Sequence, residues 1–83
     1  MILKSFLYVR KKVDTSFLIL FGKNLKKERE SKNMSQAQLA IDCDFDVSVI
    51  SRIERGVVNT SLSNLKIISS ALEIELKELF DFQ

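Results

Sequence analysis

Two short helical patterns stand almost back to back between Ser35 and Gly56, and their spacing restricts the fold more than any other feature of the chain. A turn of three to four residues separates them, so the two helices must cross closely, and the small side chain of Ala40 stands where they cross. Apolar residues on both sides of the turn can attach the pair to one core, namely Leu39, Phe45, Ile50 and Ile53. The pattern predicts a crossed pair whose second helix projects from the body of the domain.

The remaining chain is also expected to be helical, with short connections. It contains no proline and only two glycines, so its turns must be formed by Asn, Asp and Ser. A first helix is expected after the cap oxygens of residues 14–16, with Phe17, Phe21 and Leu25 on one face. It should end at Asn33, because asparagine enters the left-handed conformation at low cost.

Local capping signals set the expected bounds of the crossed pair. Ser35 and Gln38 have the spacing of a capping box, in which each side chain satisfies a backbone N–H of the first turn. This helix should end near residue 42 or 43. The next should begin after the N-cap Asp46 and close at Gly56, since glycine favours the position just beyond a helix.

Two further helices complete the expected fold. The fourth is capped by Ser61 or Ser63 and carries the apolar series Leu62, Leu65, Ile68 and Leu72, and the short fifth covers roughly residues 75–80. No strand pattern competes after residue 14, whereas residues 1–13 fit a helix or a strand equally well. The fold class expected is therefore all-α, a compact five-helix domain at 15–83 that follows an N-terminal extension or arm at 1–14.

Charge is distributed unevenly along the 83 residues, which are enough for one domain. The first 33 residues contain nine Lys/Arg and three Asp/Glu, and the rest contain four and eight, for a net charge of +2. The basic first third can approach phosphate, or it can be an ordinary solvated helix face. Charge alone leaves both interpretations open.

Several function classes have little support in the residues. Cys43 is the only cysteine and there is no histidine, so neither an intramolecular disulfide nor a metal site is expected, and a reducing cytoplasm fits. No cofactor is expected. Lys4, Arg10, Lys11 and Lys12 interrupt the apolar start too often for a secretory core or a membrane span. Without a glycine-rich phosphate loop, or a Ser or Cys beside a base, an enzyme is not expected.

The crossed pair has the spacing of a helix-turn-helix, in which the first turns of the second helix fit the DNA major groove. At these residues the chain resembles the Cro/phage-repressor (XRE-type) helix-turn-helix family, over roughly residues 25–80. The resemblance rests on Ser-Gln-x-x-Leu-Ala at 35–40, on Ile-Ser-Arg-Ile-Glu-Arg-Gly at 50–56, and on the tail from 61 to 80. Three motifs in register make this resemblance specific.

The resemblance implies a role for each of several residues. Base edges would be read by Val47, Ser48 and Arg52, with Arg52 able to pair with guanine O6 and N7. Phosphates would be held by Gln36, Ser51, Arg55, Asn59 and Thr60. Arg29 and Glu54 would form an internal ion pair between the first and third helices.

Three positions depart from the family pattern. Asp44 and Glu73 replace glycines that are usual there, and Asp44 tolerates the left-handed region better than most residues. Cys43 replaces a large aliphatic residue. Its interpretation as a small buried hydrophobic residue is favoured over its interpretation as a reactive thiol.

The resemblance also implies a homodimer on double-stranded DNA with an inverted repeat, since one recognition helix reads only a few base pairs. The expected dimer interface includes Ile74, Phe80 and Phe82, and an arm at 1–14 could also reach the partner. Stand-alone members of this size include controllers of restriction–modification operons and small phage-type repressors. The alternative is an antitoxin-type module that binds a partner protein and regulates its own operon.

Overall fold

The computed structural model describes residues 13–83, so the expected arm and its helix-or-strand alternatives at 1–12 lie outside the described residues. The described chain is all-α, as expected. Its elements are α1 (Thr15–Ser31), α2 (Gln36–Cys43), α3 (Val47–Arg55), α4 (Leu62–Ala71) and a 3-10 helix (Leu76–Phe80). The last element was expected as a short fifth helix, and it is a 3-10 helix of five residues, a type of helix that occurs only in short pieces.

Each α-helix begins at a side chain that accepts a hydrogen bond from a backbone N–H of the first turn. Asp14, Ser35 and Asp46 cap α1, α2 and α3, and Ser61 rather than Ser63 caps α4. The cap distances lie between 2.8 and 3.0 Å. Such caps satisfy donors that the helix itself leaves free, which is why local sequence marks these starts well.

The capping box expected at Ser35 and Gln38 is only half formed, so that prediction was wrong. Ser35 accepts from the Gln38 backbone N–H, but the Gln38 side chain donates to Asp42 Oδ1 at 2.9 Å instead of reaching back. In the box the Gln38 side-chain oxygen would accept from the Ser35 N–H, whereas here its amide donates to a carboxylate one turn further on, a charge-assisted and therefore stronger bond. The reciprocal box occurs at the 3-10 helix, where the Glu75 N–H donates to Glu78 Oε2 at 2.8 Å.

All four α-helices end in the same way, at a residue with positive φ. These residues are Asn33, Asp44 and Glu73, each with φ of 59°, and Gly56 with φ of 72°. After each of them, the next N–H bonds to the carbonyl five residues back, the hydrogen bond of a Schellman motif. Only one of the four is glycine, so three side chains occupy a conformation that disfavours a β-carbon.

The core lies between α1, α3, α2 and α4, and the 3-10 helix closes one end. Its fully buried aliphatic side chains are Leu25, Leu39, Ile50, Ile68, Leu72 and Leu79.

Leu62 was expected to continue the apolar series of α4, yet it is 69% exposed because it lies in the first turn, at the edge of the domain. Asn24 attaches the 3-10 helix to α1 by donating to the carbonyls of Glu78 and Leu79 at 3.1 and 2.9 Å.

Two further properties concern residues 13–83. Among them, no group of His, Cys, Asp and Glu is arranged to hold a metal ion. None of the helices in the same range combines the length and the apolar composition that crossing a bilayer requires.

Candidate nucleic-acid interface

The turn between α2 and α3 consists of three residues, 44–46, at the short end of the expected spacing. Asp44 ends α2 in the left-handed conformation, and Asp46 starts α3 as its N-cap. The intervening Phe45 is half-buried against the core. The turn therefore links two capped helix ends with one apolar anchor between them, and this arrangement determines where α3 begins.

One face of α3 points away from the core. Ile50, Ile53 and Glu54 are buried on the inner side. The outer side contains a series at the helical spacings of three, four and seven residues, formed by Ser48, Ser51, Arg52 and Arg55. Both arginines are exposed, both serines are half-buried, and Val47 at the helix start is 44% exposed. The structure thus brings the expected base-reading residues together on one surface.

The loop after α3 continues this surface. Arg52, Asn59 and Thr60 line one open groove between α3 and the start of α4. The Thr60 hydroxyl accepts from the Asn64 side-chain amide at 3.1 Å, which fixes its position and leaves its own proton free to donate. Asn59 is exposed. Two of the expected phosphate contacts therefore lie beside Arg52.

Arg29 and Glu54 form the ion pair that the resemblance implied. Arg29 Nε and Nη2 donate to the two carboxylate oxygens at 2.6 and 3.0 Å, and both side chains are less than a tenth exposed. The hydrogen bond with Glu54 raises the pKa of the Arg29 guanidinium, against the opposing effect of its burial. Both members of the ion pair are hydrogen-bonded, and a buried charge is tolerated when it is paired and hydrogen-bonded in this way.

Gln36 lies at the first residue of α2 and is joined to this pair. Its Nε2 donates to Glu54 Oε1 at 2.9 Å, across a separation of 18 residues. The resemblance assigned Gln36 to a phosphate and Glu54 to an ion pair, and neither assignment indicated that the two side chains meet. No local sequence pattern signals a bond over this separation.

Electrostatics at the tip of α3 are mixed. Asp42, Asp44 and Asp46 are exposed at or before the start of α3, and Arg52 and Arg55 are exposed along it. The pKa of the Asp46 carboxyl is lowered, mainly by the hydrogen bond from the Ser48 backbone N–H. Neither arginine forms an ion pair with an acidic residue of the described chain. The guanidinium groups therefore remain available on a surface that is not strongly basic.

Cys43 is buried at the end of α2, as expected of a small hydrophobe in that position. Burial, followed by the nearby charge of Asp42, raises the pKa of its thiol. Both effects disfavour the thiolate, which is the reactive form of cysteine.

The residues expected at a dimer interface pack partly on the body of their own chain. Phe80 and Phe82 lie against the aromatic rings of α1, with ring centroids 5.1 Å apart for Phe21–Phe80 and 5.5 Å apart for Phe17–Phe82. Ile74 is half-buried against the core. Phe17 and Phe80 still expose 42% and 39% of their surface, so an apolar patch remains beside the core.

The chain is similar to several characterised regulators. It is 49% identical over 65 residues to control protein C.BamHI of Bacillus amyloliquefaciens, covering 77% of this chain and 80% of that protein. It is 48% identical over 63 residues to control protein C.MunI of Mycoplasma sp, covering 75% and 85%. The HTH-type transcriptional regulator SlrR of Bacillus subtilis is 43% identical over 63 residues, and this chain spans 41% of its length.

The fold has a matching counterpart among solved structures. The restriction-modification controller protein C.AhdI from Aeromonas hydrophila superposes with a TM-score of 0.75 at 41% identity, over 76% of this chain and 96% of that one. The helix-turn-helix family model HTH_3 matches residues 25–79, close to the span of the resemblance. With α2, the three-residue turn and α3 arranged as described, this chain belongs to the XRE-type helix-turn-helix family of DNA-binding transcription regulators.

Proposed function

We propose that the chain is a sequence-specific regulator that binds double-stranded DNA as a homodimer, with α3 of each copy in the major groove. The observation that carries the proposal is the outer face of α3, where Ser48, Ser51, Arg52 and Arg55 are aligned. Neither arginine has an ion-pair partner among the described residues. A helix that presents such a face at its first turns fits the groove geometry of this motif.

Base reading is assigned to the start and centre of that face. Arg52 has an exposed guanidinium without an acidic partner in the described residues, so it can pair with guanine O6 and N7. Val47 is 44% exposed and can pack on a thymine methyl group. Ser48 lies one turn before Arg52 and can donate to or accept from either type of base pair.

Phosphate binding is assigned to the residues around this face. Ser51 and Arg55 flank the base readers on α3, while Asn59 and Thr60 lie in the following loop. Gln36 lies at the N-terminus of α2, where free backbone N–H groups and the helix dipole also favour an anion. Such contacts orient the protein on DNA without reading its sequence.

The need for two copies follows from the mixed charge of the surface. Asp42, Asp44 and Asp46 oppose the phosphate attraction that drives non-specific binding. A two-fold dimer recovers affinity by reading two half-sites about 34 Å apart. The proposed interface is formed by Phe80 and Phe82, which lie against the exposed Phe17, together with the half-buried Ile74.

The similarity to three control proteins supports a narrower assignment, a controller of the restriction–modification type that acts in the cytoplasm. This chain covers 80%, 85% and 96% of C.BamHI, C.MunI and C.AhdI, so the similarity extends over most of each protein. The longer regulator SlrR is similar over less than half of its length and supports only the shared domain.

Selection of bound duplexes from a random pool tests this proposal. A short inverted repeat is expected. Arg52→Ala should lose about 1–3 kcal/mol of binding at one base position per half-site, whereas Arg55→Ala should weaken all sequences equally. Lys66→Ala, an exposed cation on α4 outside the groove that Arg52 lines, is the matched control and should leave the sequence preference of binding unchanged.

If the selection at moderate salt recovered no common sequence motif, the assignment as a regulator would be contradicted. A motif without two-fold symmetry would instead contradict the homodimer. Co-purification of a stoichiometric protein partner would favour the antitoxin-type alternative.

A further inference from the structure

We propose that Glu54 is a positioning residue for DNA binding, because its carboxylate holds the Gln36 amide so that one N–H points to a DNA phosphate. The inference rests on the proposed function, in which Gln36 contacts phosphate. It is carried by the 2.9 Å hydrogen bond from Gln36 Nε2 to Glu54 Oε1, which joins the start of α2 to the buried side of α3.

Charge determines which way the Gln36 amide faces. Both carboxylate oxygens of Glu54 accept hydrogen bonds from the Arg29 guanidinium, and a carboxylate engaged in this way can only accept. The amide must therefore turn its NH2 group, not its carbonyl oxygen, towards Glu54. An NH2 group has two hydrogens and Glu54 takes one of them, so the second remains for an outside acceptor.

The ion pair makes this anchor compatible with DNA. A lone carboxylate behind Gln36 would repel the phosphate that Gln36 is to bind. Arg29 cancels that charge with two hydrogen bonds, at 2.6 and 3.0 Å, and Glu54 Oε1 accepts from Arg29 and Gln36 together. Buried networks of this kind are rigid when every member has a partner, and no buried side-chain polar atom of the described residues lacks one.

Arg29 also fixes the main chain at the entrance to α2. Its Nη1 donates to the carbonyl of Met34 at 2.7 Å, two residues before Gln36. The same network therefore fixes both the backbone and the side chain at the proposed phosphate contact. Groups that are already ordered lose less entropy on binding, so this arrangement favours affinity.

A double-mutant cycle on the selected duplex tests the inference. Gln36→Ala should weaken binding about 3- to 10-fold, the range for one hydrogen bond. Glu54→Gln should weaken it similarly, because a glutamine there can face Gln36 with either amide atom and no longer enforces one orientation. In the Gln36→Ala background, Glu54→Gln should change affinity by less than about 2-fold. Gln38→Ala, on the exposed side of the same helix, is the control and should bind like the unmodified protein.

A role limited to stability predicts a different result, since Glu54→Gln would then weaken binding equally in both backgrounds, and that would overturn the inference. Side-chain amide relaxation in the free protein gives an independent measurement. The Gln36 NH2 should be rigid in the unmodified protein and mobile in Glu54→Gln.

If Glu54→Gln does not fold, Gln36→Asn decides the question. It retains an amide at the helix start, but one methylene too short to reach Glu54, so it should lose as much affinity as Gln36→Ala. If Gln36→Asn or Gln36→Ala bound DNA as tightly as the unmodified protein, the positioning role would be overturned. The proposed function would not be affected by that result. Failure of the unmodified protein to bind any duplex would refute the proposed function itself.

Discussion

Gly22 and Ile53 lie so close together that a β-carbon on Gly22 would be 2.5 Å from the Ile53 carbonyl oxygen. The backbone carbonyl of Glu54 lies equally close to that position. Helices α1 and α3 therefore cross with no side chain between them at this point. The close approach brings Arg29 on α1 within reach of Glu54 on α3, and so permits the ion pair behind the recognition face.

Gly22→Ala should destabilise the protein by roughly 1–3 kcal/mol, because the clashing atoms belong to backbone and cannot rotate away. In an ordinary helix interior, changing glycine to alanine is stabilising. The sign of the change in the free energy of unfolding therefore distinguishes a close helix crossing from an ordinary helix position. Urea denaturation measures the difference. Lys23→Ala, an exposed neighbour, should change stability by less than about 0.5 kcal/mol. If the urea concentration at the denaturation midpoint were unchanged or raised in Gly22→Ala, α1 and α3 would not approach each other this closely.

Glu54→Ala should cost on the order of 3 kcal/mol, because it leaves the buried Arg29 guanidinium without its counter-charge. The matched control is Lys77→Ala, which breaks the exposed 3.7 Å pair with Glu75 and should change stability by no more than about 1 kcal/mol. Thermal denaturation of both variants makes the comparison. Equal melting temperatures for the two would contradict a buried pair.

Glu73→Gly should stabilise the protein by about 1 kcal/mol, since Glu73 has a φ of 59° and glycine lacks the β-carbon that makes this conformation costly. Asp44→Gly should gain less, because aspartate tolerates the left-handed region better. Glu73→Ala is the control. It removes the carboxylate but keeps the β-carbon, so a gain as large as that of glycine would assign the effect to charge rather than to backbone.

The cap of α3 should make stability depend on pH. The pKa of Asp46 is lowered from its ordinary value of 3.8, first by the Ser48 backbone N–H, so the unfolded chain binds this proton more tightly than the folded one. Its contribution to stability is therefore complete above the ordinary value and is lost as the pH falls through the lowered one. Asp46→Asn keeps a cap acceptor without the charge.

The melting temperature should be higher for the unmodified protein than for Asp46→Asn at neutral pH, and this difference should shrink below about pH 4. Melting curves of both proteins in a series of buffers measure it. A difference that stays constant across that range would show that the carboxylate charge is not what stabilises the cap.

Much of the fold could be predicted from local sequence. Asp14, Ser35 and Asp46 mark helix starts because the hydrogen bond of an N-cap joins residues two or three apart. Asn33 and Gly56 mark helix ends for an equally local reason, their tolerance of positive φ. The all-α class and the short turn of the helix-turn-helix followed from these signals together with apolar periodicity.

Two predictions from the sequence were wrong, the capping box at Gln38 and the burial of Leu62, and each has its own physical reason. The Gln38 side chain could accept from the backbone N–H of Ser35 or donate to Asp42, and it forms the charge-assisted bond to Asp42. Leu62 has the right spacing for the core but lies in the first turn of α4, beyond the edge of the packed layer. Periodicity shows which face a residue occupies, and it does not show how far the neighbouring element extends over that face.

The helix-turn-helix between Ser35 and Gly56 was thus determined by the sequence itself, since its caps and spacing act within a few residues. The network behind it was decided only in three dimensions. Gln36 meets Glu54 across 18 residues and Arg29 meets Glu54 across 25, while Asn24 reaches Glu78 across 54. These bonds exist because Gly22 lets α1 approach α3 and because the core fixes the orientation of both helices. A local pattern contains no information about such separations, so only the packed chain places the anchor beneath the proposed phosphate contact.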